Sequence, residues 1–428
     1  MKCGKTLWIW AILLLLGGAA GAWSFQQEKD TELLKAADEI LQSVVKIRGL
    51  EPRSPIPKGV KSKAEISKYL DALVREQYEE EELRREGRLL RKLGLIPPTL
   101  DYKEFTLKLL GEQIGGYYDP DQKMLFIAGW LPSEVQKPVM AHELMHALQD
   151  QHFDIGRLLK ANRKQNNDDR ALALQSVAEG EGVAVMLDYL LSPMGRDFTQ
   201  LPSMVQVMES QLSTMDAQFE VFRQAPRFLK QTLLFPYAYG AAFLQKARLK
   251  GGWKSIDRIY SDLPTSSEQI IHPEKYFEPR DLPRPVRVED PSSRLGAGWK
   301  GTYENVLGEF VLYLLLRTHL AEDQSRKSAA GWGGDHILMV ESSDPERSVI
   351  LVETIWDSEA DAVEFYDSIS AWMEQQFPQG GISDQSASGF TWTSAGELHR
   401  IRRRGSAVRL LVGLPEGESG KLVDYWPE

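Results

Sequence analysis

Hydrophobic side chains recur at helical spacing through the first two thirds of the chain. In the earliest such segment, Leu33, Ala37 and Ile40 fall on one face of a helix. In the next, Ser62 and Glu65 have the spacing of a capping box, which marks a helix start. The pattern predicts helices over residues 31–48, 62–93, 101–114, 133–153, 168–191, 203–250 and 254–261, with breaks in the sixth near Pro226 and Pro236.

Strand patterns lie in two regions. β-prone residues on both sides of the turn sequence Asp119–Asp121 predict a hairpin within residues 115–127. A stretch rich in Pro and Gly, residues 279–300, indicates a domain boundary. Beyond it the pattern predicts helices at 303–320 and 358–376, and strands at 336–341, 348–356, 389–393, 397–403 and 407–413. The predicted fold class is therefore α+β and mostly helical.

Composition narrows the class of protein. The chain has 428 residues, of which 42% are hydrophobic and 26% are charged, as in folded globular proteins. Its formal net charge is -10, which argues against nucleic acid or an anionic membrane as the main partner. The sequence makes no prediction of oligomeric state.

The N-terminal residues resemble an export signal. Lys2 and Lys5 precede an apolar run, Leu7–Leu16, and Ala20–Ala22 has the small residues of a cleavage site. The run is short for a membrane helix, so we expect no stable transmembrane segment after cleavage, although an uncleaved anchor is the alternative. Cys3 is the only cysteine, and a mature chain without it has no disulfide. These features predict a bacterial protein of the periplasm or the exterior.

The chain thus divides into three predicted parts. Residues 1–22 are the signal peptide, residues 23–300 a largely helical domain, and residues 301–428 a C-terminal α+β module.

The strongest chemical signal is an H-E-x-x-H motif, His142-Glu143-Leu144-Met145-His146. Two histidines four residues apart lie on one face of a helix, where they can bind one zinc ion. Glu143 can then reach a water molecule at the metal. With seven histidines in the chain, a chance match has a probability of about one in a hundred. The helix begins at Ser133, or at Pro138 if the proline is excluded from its interior.

The third zinc ligand has three candidates. His152 follows His146 by six residues, but position 149 is Gln149, without the glycine of the metzincin pattern, so the continuing helix turns His152 away. Glu179 and Glu181 lie on a later helix together with Gly180 and Gly182, and helical geometry allows only one of the two glutamates to face the metal. Periodicity leaves the choice between these two glutamates open.

At this point the chain resembles the gluzincin superfamily of zinc metallopeptidases, with its H-E-x-x-H helix followed by an E-G-containing helix. It is most similar to a group of exported bacterial proteins with the motif that stands here as His142 to Phe153, followed by Glu179-Gly180. Four further blocks match that group, Gly116–Pro120, Pro236–Gly240, Ser267–Tyr276 and Gly331–Asp335. The resemblance covers most of the mature chain and implies a zincin-like core.

The resemblance also implies roles for individual residues. His142, His146 and Glu179 would be the ligands of Zn²⁺, and Glu143 the catalytic acid and base. Where the group often has Asp two residues after the ligand glutamate, this chain has Glu181. The hairpin strand Lys123–Ile127 is similar to the strand that gluzincins place beside the zinc, along which an extended peptide can add.

Peptide hydrolysis also needs a hydrogen-bond donor that stabilises the developing oxyanion. His272 is the leading candidate, and Tyr239 and Tyr237 follow. Asp150, one turn after His146, can orient an imidazole from outside the ligand set.

The sequence therefore predicts an exported, zinc-dependent peptidase acting on a peptide or protein substrate. The alternative is a zinc-binding envelope protein that holds a partner peptide without cleaving it. The presence of Glu143 favours the enzyme, since zinc binding alone does not require that residue.

Overall fold

The structure, a computed structural model, describes residues 26–77, 79–162, 165–423 and 425. It is 58% helix and 18% strand, so the prediction of a mostly helical α+β protein is confirmed. Within the described ranges, no helix has the length and apolar character needed to cross a membrane. The predicted signal peptide, residues 1–22, lies outside the described residues.

The α-helices run through the whole described chain. They are α1 (Gln26–Arg48), α2 (Lys63–Gln77), α3 (Glu80–Lys92), α4 (Tyr102–Gln113), α5 (Ser133–Phe153), α6 (Ile155–Asn162), α7 (Asp168–Leu191), α8 (Met204–Gln218), α9 (Glu220–Gln224), α10 (Arg227–Gly251), α11 (Trp253–Ser261), α12 (Ser267–Ile271), α13 (Pro273–Phe277), α14 (Ser292–Leu295), α15 (Gly308–Leu316), α16 (Glu322–Ala329) and α17 (Glu359–Gln376).

One predicted helix is divided in the structure, and another begins at the first of the two starts that the sequence left open. The helix predicted over 62–93 is two helices, because Glu79 has extended backbone angles and caps α3 in a capping box with Glu82. Negative charge is favourable at the start of a helix, so the acidic run there initiates α3. The helix α5 begins at Ser133 and keeps Pro138 inside, contrary to the alternative start at Pro138.

The strands form two sheets. They are β1 (Lys58–Lys61), β2 (Gly116–Asp119), β3 (Met124–Ala128), β4 (Lys300–Asn305), β5 (Trp332–Glu341), β6 (Ser348–Trp356), β7 (Gly381–Ser386), β8 (Gly389–Ser394), β9 (Glu397–Arg404) and β10 (Ala407–Pro415). The smaller sheet has the order β1-β3-β2, and the larger has the order β4-β5-β6-β10-β9-β8-β7.

The small sheet corrects one prediction. The hairpin is present as β2 and β3, but β3 is the central strand, because β1 pairs with it in parallel on its other side. Backbone groups on both sides of β3 are therefore already paired, and a peptide cannot add along Lys123–Ile127. β2 is the edge strand of the described sheet beside α5.

The large sheet is antiparallel throughout, and α17 packs against it. Its first strand, β4, covers residues that the pattern assigned to a helix over 303–320, of which α15 keeps only the central part. The later start of this helix has a structural cause, since the carboxylate of Asp335 accepts hydrogen bonds from the amides of Leu307 and Gly308 at 2.8 Å. These bonds cap α15 at its observed start.

One hydrophobic cluster joins the helices to the large sheet. It includes Val74 of α2, Val177 of α7, Phe243 of α10, Leu312 of α15 and Ile350 of β6. The two larger predicted parts of the chain therefore pack against each other through apolar side chains, and their division near residue 300 stays a prediction.

Candidate metal centre

The helices α5, α7 and α10 pack together around the H-E-x-x-H motif. The side chains of α5 are buried on all sides from Pro138 to Gln149, so the helix lies inside the molecule. α1 covers α5 through a second apolar cluster that contains Ile40, Val44 and Leu144. The motif is therefore held within a packed core.

The structure brings His142, His146 and Glu179 together. Nε2 of His142 lies 3.0 Å from Oε2 of Glu179, and Nε2 of His146 lies 3.4 Å from the same oxygen. Their ligand atoms all lie within 4.8 Å of one another. The histidine side chains are 1% exposed and that of Glu179 is 0% exposed.

This arrangement fits a zinc ion. Tetrahedral zinc with bonds of about 2.1 Å holds its ligand atoms about 3.4 Å apart, close to the distances from Glu179 to the two histidines. Oε1 of Glu179 and Nδ1 of His142 are buried without a hydrogen-bond partner among the described residues. Two imidazoles and one carboxylate are also the donor set of many catalytic zinc sites.

The glycines of α7 allow the close approach that this geometry needs. A β-carbon at Gly182 would lie 2.5 Å from Cε1 of His142, so the imidazole rests directly on the helix backbone. A β-carbon at Gly180 would overlap the backbone of Gly240 in α10. The two glycines therefore serve different purposes, one for the histidine and one for helix packing.

Glu143 is fixed by the edge strand of the small sheet. Its Oε2 accepts a hydrogen bond of 2.8 Å from the backbone amide of Tyr118 in β2. The residue is 0% exposed. β2 thus positions this carboxylate, one residue along α5 from His142.

Glu181 faces away from the two histidines and joins a separate polar network. Its carboxylate binds Nε of Arg48 at 2.5 Å, and it accepts hydrogen bonds from Gln149 at 2.8 Å and Tyr260 at 2.5 Å. Gln149 in turn holds Nδ1 of His146 at 2.8 Å through Oε1. We call Arg48, Glu181, Tyr260 and Gln149 the support network, because it fixes the His146 ring with Nε2 towards Glu179.

Burial and charge set the protonation of the centre. Burial, together with neighbouring His146, lowers the pKa of His142 to about 4, which keeps that ring neutral at physiological pH. Burial opposes charge on His146 as well, but the hydrogen bond and charge of Glu179 outweigh it and raise the His146 pKa. The same two histidines outweigh burial at Glu179 and lower its pKa.

Asp150, which the sequence offered as a partner for an imidazole, has other partners, and His152 points away from the histidine pair as its helical spacing predicts. Asp150 accepts hydrogen bonds from the hydroxyl of Tyr118 at 3.0 Å and the amide of Gly156 at 3.2 Å, so it orients β2 and α6 rather than an imidazole. His152 contacts the carbonyl oxygen of Glu51 at 2.7 Å and is not in the histidine and glutamate cluster.

Two of the three candidates for the oxyanion donor have partners outside the cluster of His142, His146 and Glu179. His272 lies 2.9 Å from Glu309, outside the cluster. The hydroxyl of Tyr239 accepts a hydrogen bond of 3.1 Å from Arg326. Tyr237 is the one of the three that contacts the centre, since its ring stacks on His142 with 6.0 Å between ring centroids.

The hydroxyl of Tyr237 also contacts the carboxylate of Glu179. Burial, then the charges of Glu179 and Glu143, raises the Tyr237 pKa well above its ordinary value, so the hydroxyl keeps its proton. It is thus a hydrogen-bond donor directed into the centre.

Sequence reasoning missed the support network. Gln149 entered only as the residue that excludes a glycine turn, and Arg48 lies more than a hundred residues from it. The one available signal was Glu181, an acid beside the proposed ligand in an otherwise apolar helix segment.

Comparisons with known proteins give few further constraints. A family model described as a domain of unknown function, DUF8575, matches residues 291–423, which do not include His142, His146 or Glu179. A search of curated proteins found no match. Among solved structures, the chain is similar to a protein from Chloroflexus aurantiacus described as "a putative hydrolase with a novel fold". The identity is 17%, the TM-score is 0.38, and the similarity covers 60% of this chain and 91% of the other.

Proposed function

We propose that this protein is a zinc-dependent hydrolase that cleaves peptide bonds. The observation that carries the proposal is the joint placement of His142, His146 and Glu179, with Glu143 adjacent on α5. Such a set combines a metal site with a general base, and a purely structural role for the helix requires neither.

In the proposed reaction, the zinc ion and each residue have separate roles. A bound zinc ion would polarise the scissile carbonyl and lower the pKa of a water molecule. Glu143 takes the proton from the attacking water and returns it to the leaving amine. Tyr237 donates its hydroxyl hydrogen to the oxygen that becomes negative as the carbonyl is attacked.

The edge strand β2 supports a peptide as the substrate. β2 ends the order of the small sheet, and the Tyr118 amide on it holds the proposed base. An extended peptide aligned along such an edge brings a backbone carbonyl close to the base. Because Glu143 and the ligands are buried, cleavage also requires a movement that admits the peptide.

Burial of the centre is also the observation that favours a second function. A protein that binds zinc and holds a partner peptide without cleaving it needs no access for water. His142, His146 and Glu179 are 0–1% exposed, as expected of a closed site.

Cleavage of a diverse peptide library, measured by mass spectrometry with added zinc, separates the two functions. The hydrolase predicts products from the wild-type protein, and about 10²-fold or greater loss in Glu143→Gln with zinc still bound. Equal cleavage by both proteins would reject the role of Glu143, and zinc binding without cleavage by either would favour the holding function.

We also propose that the protein is exported, on the basis of the pattern in residues 1–22. N-terminal sequencing of the protein recovered from a bacterial periplasm would show a chain that begins near residue 23. A retained Met1 would contradict the proposed cleavage.

A further inference from the structure

A second cavity lies away from the metal centre, where α3, α10, α15 and α17 come close to one another. Its volume is about 630 Å³, within the range of pockets that bind small molecules. We call it the arginine cleft, after Arg91, Arg227 and Arg317, which contribute to its lining.

The charge of this lining is opposite to that of the protein. The chain has 61 acidic residues against 51 Lys and Arg. The lining nevertheless contains the three arginines and His319 and has no aspartate or glutamate. The arginine cleft is therefore a cationic recess in an acidic protein, which favours an anionic ligand.

The arginines keep donors available for a ligand. Arg227 forms no ion pair or hydrogen bond with a described residue, and Nη1 of Arg91 donates one long bond of 3.4 Å to the Leu100 carbonyl. A guanidinium has five N–H donors, so most of the donors of these two side chains are not used by the part of the chain that the structure describes.

Arg317 is more constrained. Its Nη1 donates to the Leu320 carbonyl at 2.6 Å, and its Nη2 lies 3.6 Å from Glu322, an acid outside the lining. Its Nε is buried without a hydrogen-bond partner among the described residues. A buried donor without an acceptor is costly, and a ligand oxygen would satisfy it.

Apart from Thr318 and Gln376, the rest of the lining is mostly apolar. Leu95, Ile96, Leu314 and Leu320 are buried, and Phe228 lies with them. The prolines that line the cleft limit backbone motion there, Pro97, Pro98 and Pro226. The arginine cleft thus combines a cationic part with an apolar part.

We propose that the arginine cleft binds a small organic anion, with a carboxylate or phosphate group held by the arginines and an apolar portion against the leucine and phenylalanine side chains. Guanidinium groups bind both oxyanions through paired hydrogen bonds. This site is independent of the proposed hydrolase activity.

Calorimetric titration of the full chain with three probes tests the proposal. Hexanoate and hexyl phosphate carry the two oxyanions, and hexanol is the neutral counterpart of equal length. We expect at least one anion to bind in the micromolar to millimolar range, with affinity that falls as salt is added. The anion that binds with the higher affinity shows whether the natural ligand is a carboxylate or a phosphate.

Substitutions then locate the site. Arg227→Gln removes a guanidinium group that has no described hydrogen bond to the protein, so we expect the fold to stay intact. We expect the anion to bind about tenfold more weakly. Arg84→Gln is the matched control, because Arg84 is exposed on α3 and does not line the cleft.

Three results would overturn the proposal. They are no binding of either anion at millimolar concentration, binding of hexanol as tight as that of the anions, and anion binding that Arg227→Gln leaves unchanged. The first would show that the arginines do not select an anion. The second would show a purely apolar cavity, and the third would place the anion elsewhere on the protein.

Discussion

The support network predicts that Gln149 controls zinc affinity although it does not touch the metal. Gln149 is 0% exposed and bridges His146 and Glu181, with hydrogen bonds of 2.8 Å to each. The substitution Gln149→Met keeps the volume of the side chain and removes both bonds, together with a third bond of 2.9 Å that Gln149 donates to the Ala178 carbonyl. The ring of His146 then loses the hydrogen bond with Gln149 at Nδ1 that fixes its orientation.

The magnitude follows from the three groups that lose a hydrogen bond, His146, Glu181 and the Ala178 carbonyl. Each buried polar group left without a hydrogen bond costs about 1–3 kcal/mol, although Glu181 keeps Arg48 and Tyr260. Removal of a residue that orients a metal ligand weakens metal binding by about 10–100-fold. That factor corresponds to about 1.4–2.7 kcal/mol in the free energy of zinc binding.

Competition with a chromophoric zinc chelator at neutral pH measures this change. The neighbouring substitution Asp150→Asn is the control, since the hydrogen bonds of the Asp150 carboxylate are to Tyr118 and Gly156. We expect a weaker zinc affinity in Gln149→Met and an unchanged one in Asp150→Asn. Equal affinity in Gln149→Met and wild type would refute the positioning role.

Three further predictions concern stability and catalysis. Arg48→Met leaves Glu181 buried without its cation, and urea denaturation should show a loss of about 3–5 kcal/mol; a loss below 1 kcal/mol would contradict this. Burial, then the charge of Asp168, raises the Glu86 pKa to about 8. Because this pKa is raised on folding, the stability from protonated Glu86 is present below its unfolded pKa, about 4.5, and is lost as pH rises towards about 8. Glu86→Gln should therefore flatten the pH dependence of the free energy of unfolding between these two pKa values. An unchanged slope would contradict the raised pKa of Glu86. In peptide cleavage, Tyr237→Phe should lower kcat by about 10²-fold. Tyr239→Phe should leave kcat unchanged, since the Tyr239 hydroxyl binds Arg326. A loss of kcat in Tyr239→Phe but not in Tyr237→Phe would restore Tyr239 as the oxyanion donor.

The elements that carry the metal centre were predictable because their signals are local. The spacing of His142 and His146 predicts that they share one face of a helix. The fold class followed from periodicity in the same way. The glycines of α7 indicated a close approach, and the structure shows what approaches, the ring of His142 at Gly182 and the backbone of α10 at Gly180.

The remaining features depend on contacts between distant parts of the chain. β1 has only four residues, Lys58–Lys61, and β7 is polar and largely exposed, so neither has the apolar alternation of a strand. Both strands are defined by their pairing with β3 and β8. The choice of Tyr237 over Tyr239 likewise depends on which side of α10 faces α7, and two residues on a helix differ by about 200° in direction.

Zinc stoichiometry in two matched variants tests the central claim most directly. Glu179 and Glu181 differ by two positions on α7, and the structure places only Glu179 with His142 and His146. Mass spectrometry under native conditions should show one zinc ion per chain in the wild type and in Glu181→Gln, and none in Glu179→Gln at equal zinc concentration. Zinc retained by Glu179→Gln and lost by Glu181→Gln would contradict the proposed metal centre.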